Sequence, residues 1–152
     1  MTNPIAIFAA AAAAAAASPM QPGPTPASEQ SPAAATKVAS AYFAALSARR
    51  YHDAYRLWGG RGAASGMREA QFKARYTRYR TFHAVLQKPG ETEGAAGSSF
   101  IEIPVTATGR LVRGGAFRLA GSLTLRRVND VDGSSAEQRR WHIATSELKA
   151  RR

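Results

Sequence analysis

The chain has 152 residues, 45% of them hydrophobic, which is room for one domain with a core of its own. Cysteine is absent, and this excludes disulfides, thiol nucleophiles, Cys-ligated zinc and the lipidated cysteine of a bacterial lipoprotein. Lys and Arg number 21 against 10 Asp and Glu, a net charge of +11 that favours anionic partners such as envelope lipid surfaces or nucleic acid. The charges are nevertheless scattered from Arg49 to Arg152 rather than gathered in one run, as Arg-rich and Ala-rich coding produces without any partner.

An apolar run from Ile5 to Ala17 opens the chain. It is shorter than the ~20 residues a membrane-spanning helix needs, and it has the length of a signal-peptide core. Ala15, Ala16 and Ala17 supply the small residues that signal peptidase requires before Ser18, although no Lys or Arg precedes the run. Residues 1–17 are therefore expected to be a signal peptide and the protein to be periplasmic or secreted. An uncleaved leader acting as an anchor, or a misassigned start, stays open. Residues 18–35 carry Pro19, Pro22, Pro24, Pro26 and Pro32 among Ala, Ser and Thr, a composition that blocks regular structure and predicts a disordered tether. No integral membrane segment is expected after leader removal.

Beyond Pro32 the period turns helical. Val38, Tyr42 and Leu46, with Phe43 beside them, predict a first helix with one apolar stripe, punctuated by Arg49-Arg50. Tyr51, Tyr55 and Trp58 predict a short second helix that Gly59-Gly60 ends. Ser65 is the expected N-cap of a third, with Phe72, Tyr76 and Tyr79 on its inner face and Lys73 and Arg80 on a wetter side.

Four strands are expected after that. Thr81 to Gln87 forms the first. Ser99 to Thr108 alternates, placing Ile101, Ile103, Val105 and Ala107 opposite Glu102, Thr106 and Thr108, while Pro104 favours an edge or a bulge. Ala116 to Val128 sets Phe117, Leu119, Leu123 and Leu125 against Arg118, Ser122, Thr124 and Arg126. Trp141, Ile143 and Thr145 share one face of the last strand, and Gly114-Gly115 and Asp132-Gly133 mark turns. Helices first and an antiparallel meander afterwards is an α+β order. The expected domain runs from residue 36 to residue 148, with a basic tail at 149–152.

This order and spacing resembles the NTF2-like superfamily, which includes steroid isomerases and polyketide cyclases. More narrowly, Gly121–Gly133 followed by Ala136–Ile143 resembles small exported proteins of proteobacteria. The resemblance covers roughly Thr36 to Leu148. It implies N-terminal helices packed on a bent sheet that forms a cone with a pocket at its open end. It does not carry a function, because the superfamily hosts enzymes, ligand binders and interaction modules alike.

An isomerase-like reaction in such a cone needs a carboxylate base and an acidic donor to the enolate oxygen. Glu102 is the only carboxylate within the expected strands; Tyr42, Tyr55 or Tyr76 are candidate donors, and His83 or His142 candidate bases. None corresponds one-for-one to the steroid isomerases' catalytic set, so no residue is assigned a catalytic role. The expected pocket residues are Tyr42, Tyr55, Trp58, Arg75, Tyr76, Glu102 and Trp141, aromatic rings with polar tips joined by one cation and one carboxylate. Arg68 and Arg75 flank the third helix's stripe and either snorkel past it or charge the pocket mouth.

His52, His83 and His142 stand in no metal-ligand spacing, and no cofactor motif is present. Gly60–Gly66 misses G-x-G-x-x-G and follows a helix; Asp130–Gly133 lacks the ligands of a calcium loop; no Ser is flanked as in G-x-S-x-G. The reading is a non-catalytic periplasmic domain that binds a small or peptidic ligand or a partner protein, with a homodimer left open. The alternatives are a cone-pocket enzyme of isomerase or cyclase type, or a charge-driven binder of anionic envelope polymers or nucleic acid.

Overall fold

The computed structural model describes residues 29–152. The expected signal peptide and most of the expected tether lie outside the described residues.

Helix α1 runs Pro32–Ser47. Ser31 caps it, its Oγ accepting the Ala34 N–H at 3.2 Å, and Pro32 takes the first helical position, where a missing N–H costs nothing. The proline that reads as part of a tether therefore opens a helix. The buried stripe is Ala35, Ala39, Tyr42, Phe43 and Leu46, with Val38 half-buried at its flank. The alanines bring the helix backbone close to what it covers, and Phe43 stacks on Phe82 of the sheet at 6.2 Å between ring centroids.

Helix α2, Tyr51–Arg56, ends sooner than expected. Trp58 lies beyond it, in an isolated parallel bridge to Ile143 between turn residues. There the Ile143 N–H donates to the Leu57 carbonyl at 3.0 Å and the Gly59 N–H donates to the Ile143 carbonyl at 3.0 Å. The tertiary partner overrides the helical spacing of Tyr51, Tyr55 and Trp58. A 3₁₀ turn, Ala63–Ser65, follows. Ser65 is not the cap of the third helix: its Oγ donates to the Gly62 carbonyl at 2.7 Å, inside this turn. Helix α3, Glu69–Thr77, is closed instead by Gln71, whose side chain accepts the Arg68 N–H at 2.9 Å. It stops before Tyr79, which belongs to the first strand.

Six antiparallel strands follow: β1 Tyr79–Leu86, β2 Glu93–Ala95, β3 Ser98–Leu111, β4 Ala116–Val128, β5 His142–Ser146 and β6 Lys149–Ala150. They form one open sheet in the order β1-β3-β4-β5, with β2 on β3 and β6 on β4. The two short strands were not expected, and β6 draws part of the basic tail into the fold. Ile101, Ile103 and Ala107 of β3 oppose Leu125, Leu123 and Leu119 of β4 on the concave face under the helices.

Three details differ from the plain alternation. Pro104 lies in an inner strand rather than at an edge; it sits where the regular β1 ladder stops, its carbonyl accepting from Gln87 N–H at 2.9 Å. A bulge between Thr124 and Leu125 of the β4–β5 pairing shifts the register. Ile143 remains buried while Thr145 turns outward, so Thr145 does not share its face. At Gly109 the chain lacks a side chain because a Cβ would strike the Thr81 carbonyl and the Phe117 ring; over that gap Phe82 and Phe117 meet at 5.6 Å. No helix among the described residues is long and apolar enough to cross a membrane.

Candidate functional site

The interior of the cone is filled. Tyr42 is fully buried at its centre, edge-on to Trp58 with ring centroids 6.1 Å apart, and tilted against Phe72 at 6.5 Å. Phe72 in turn contacts Tyr55 at 5.4 Å and Tyr76 at 4.8 Å. The two hydroxyls of Tyr42 and Tyr76 are 3.0 Å apart and share a hydrogen bond, while Tyr55 donates to the Met67 carbonyl at 2.9 Å. Burial raises the Tyr42 hydroxyl well above its ordinary pKa, with Tyr76 adding to the effect; burial raises Tyr76 too. Trp58 Nε1 points toward this pair yet makes no hydrogen bond of normal geometry.

Of the seven expected pocket residues, the fold thus brings four together, Tyr42, Tyr55, Trp58 and Tyr76, as core. Apolar rings at helical spacing were driven into the space a pocket would need. Trp141 is also core, at the opposite end, its Nε1 donating to the Ser31 carbonyl at 3.1 Å under the guanidinium of Arg127. Arg75 is exposed on α3, and Glu102 is exposed on the convex face across from Thr124. None of the seven lines either of the two larger clefts.

A pocket does exist, further along the concave face than α1 and α2 reach. It lies where β1 begins, β3 ends and β4 begins, under the end of α3, and has a volume of about 490 Å³. Tyr79, Leu111, Phe117 and Leu119 are the larger part of its apolar lining, with Arg78 and Arg113 among its polar groups. The alternation of β4 identified Phe117 and Leu119 as inward-facing. Nothing in the helical segments indicated that α3 stops at Thr77 and leaves them half-covered. Arg78 donates from Nη2 to the Tyr79 hydroxyl at 2.7 Å, and its guanidinium lies 4.9 Å from the Tyr79 ring centroid. The cation is held by its neighbour but not neutralised, since no ion pair involving Arg78 or Arg113 occurs among the described residues. An apolar cavity with such groups suits a ligand with an apolar body and an anionic head.

Acids and bases lie elsewhere. From Asp53 onward every Asp and Glu is exposed, as are His52 and His83; His142 is half-buried at the other end of the sheet. His52 pairs with Glu69 at the surface, Nδ1 to Oε1 2.6 Å.

No protein-family profile matches the chain, nor does any curated protein. Solved structures do. The Kfla4162 protein of Kribbella flavida aligns with a TM-score of 0.55 at 14% identity, over 78% of this chain and 88% of its own. A proposed scytalone dehydratase of Novosphingobium aromaticivorans aligns with a TM-score of 0.52 at 15% identity, over 77% and 81%. At such identities the likeness speaks for the fold alone, and it agrees with the order of helices and strands: the chain folds as an NTF2-like α+β cone.

Proposed function

We propose that this is a non-catalytic binding domain of the bacterial envelope. It takes a small or peptidic ligand with an apolar body and an anionic head into the pocket between α3 and the ends of β1, β3 and β4. The observation that supports it is the pocket's lining, mostly apolar or aromatic side chains with Arg78 and Arg113 and no Asp, Glu or His. An isomerase or cyclase chemistry needs a base beside the substrate, and the interior where that family's pocket would open is packed with rings. The binding reading needs only the apolar surface and the charge. The envelope location rests on the apolar run Ile5–Ala17 and the small residues before Ser18.

The test uses 8-anilinonaphthalene-1-sulfonate, an aromatic sulfonate with the required chemistry. The folded domain should bind one molecule saturably, with fluorescence enhancement. Arg113→Gln, at an exposed position, should weaken binding about tenfold, as loss of a charged hydrogen bond does. Phe117→Ala should weaken it further. Unchanged affinity in both variants would refute the assignment of this pocket.

A further inference from the structure

A second cleft, independent of that pocket, lies at the opposite end of the sheet. It has a volume of about 650 Å³ and runs between the Gly59–Ala64 loop, the end of β4, the start of β5 and the 135–138 turn. Three arginines belong to its lining, Arg61, Arg126 and Arg127. None forms an ion pair among the described residues.

Two of these cations are fixed in place by neutral groups. Arg126 donates from Nε and Nη2 to the Ser98 hydroxyl at 3.2 and 2.8 Å, with its guanidinium 5.9 Å from the Phe100 ring centroid. Arg127 lies 5.4 Å from the Trp141 ring centroid, and its Nε is buried with no hydrogen-bond partner. A buried donor without an acceptor carries the full cost of its lost hydration. An anion entering the cleft supplies both the acceptor and the missing negative charge.

The third cation is held at the expense of backbone comfort. Arg61 has φ 56°, between Gly60 at 62° and Gly62 at 105°, so a side-chain-bearing residue occupies the left-handed region in the middle of a run. The Tyr55 ring packs where a Cβ on Gly62 would stand, and the Tyr55 hydroxyl ties the loop to the Met67 carbonyl. The loop's shape is thus imposed from α2. Glycine would adopt the Arg61 conformation more cheaply than arginine does, so strain here accompanies a side chain that faces the cleft.

We infer that this cleft is a binding site for a phosphate group, borne by a small molecule or by a lipid headgroup. Phosphate fits better than carboxylate because its oxygens can accept from the Arg61 and Arg127 guanidinium groups together, Arg126 being turned to the other face of β4, and because its second charge balances more of the site. Glu137 at the rim is the one carboxylate in the lining, and it leaves the site's net charge positive.

The experiment titrates the protein with inorganic pyrophosphate by calorimetry, alongside Arg61→Gly and the control Arg80→Gln, an exposed arginine outside both clefts. The parent should bind one pyrophosphate. Arg61→Gly should lose at least tenfold in affinity while its melting temperature holds or rises, because glycine relieves the left-handed position. Arg80→Gln should bind like the parent. Vesicles of phosphatidylglycerol, set against phosphatidylcholine, separate the two sources: Arg61-dependent capture by the anionic vesicles assigns a lipid headgroup, and pyrophosphate binding alone assigns a free phosphate. If Arg61→Gly binds both probes as the parent does, or Arg80→Gln weakens them equally, the charge acts diffusely and the site does not exist.

Discussion

The two tryptophans offer a controlled comparison of buried indoles. Both are nearly inaccessible, 5% exposed for Trp58 and 3% for Trp141, but only Trp141 has a hydrogen-bond acceptor, the Ser31 carbonyl at 3.1 Å. Trp141→Ala removes the ring that closes the core beside β5 and should cost about 3–5 kcal/mol through the cavity it leaves. In a domain of this size that lowers the melting temperature by roughly 10–20 °C. Replacing each Trp by Phe keeps most of the ring and isolates the N–H. The Trp141→Phe change loses a bond worth about 0.5–1.5 kcal/mol, whereas Trp58→Phe removes a donor that had no partner. Trp141→Phe should therefore be the more destabilising by about 1 kcal/mol. Urea unfolding followed by far-UV circular dichroism measures all three variants without depending on indole fluorescence. If Trp58→Phe costs as much as Trp141→Phe, the Trp58 indole is bonded in solution, with the Tyr42 hydroxyl as the acceptor. If Trp141→Ala melts like the parent, the ring does not close the core and the packing argument fails.

Three further predictions follow from particular contacts. Unfolded tyrosines ionise near pH 10 while burial holds Tyr42 and Tyr76 protonated above it, so the native state binds more protons there. Their contribution is complete below about pH 10 and is lost as pH rises beyond it. Tyr42→Phe should flatten this alkaline loss in urea midpoints taken across that range, and a slope equal to the parent's would refute it. Gly109→Ala should destabilise by about 1–3 kcal/mol because a Cβ meets the Thr81 carbonyl and the Phe117 ring, and a neutral thermal melt would count against that crowding. Glu102→Gln, at an exposed position on the convex face, should stay within about 0.5 kcal/mol of the parent in the same melt.

The strands were the most legible part of the chain. In β3 and β4 the inward Ile101, Ile103, Val105 and Ala107, and Phe117, Leu119, Leu123 and Leu125, alternate for the most part with polar neighbours, and the expected Ala116–Val128 coincides with the observed strand. The helices were legible as elements but not at their ends. Pro32 reads as tether or as helix start depending on whether Ser31 turns its hydroxyl inward, a choice that the distant Trp141 contact helps to settle. Trp58 falls at helical spacing from Tyr55, yet it is held in a bridge to Ile143, far away in sequence. Thr145 was misplaced because a bulge leaves no compositional mark here. The candidate site was the least legible. Tyr42, Tyr55, Trp58 and Tyr76 have the chemistry of a pocket and the spacing of a core, and their identity alone does not choose between them. The pocket at Phe117 and Leu119 depends on where α3 stops, which is a matter of helix length rather than of any motif.

The bond from Trp141 to the Ser31 carbonyl joins residues 110 positions apart. Contacts this far apart form late, since the loop they close must give up its freedom before the contact repays it. The carbonyl that receives the indole also receives the Ala34 and Ala35 N–H groups of the first turn of α1. The beginning of the first helix and the approach to β5 are thereby one kinetic unit. Until β5 docks, the first turn of α1 has its own cap but no roof. Amide exchange at Ala34 and Ala35 should consequently answer to a strand more than a hundred residues downstream.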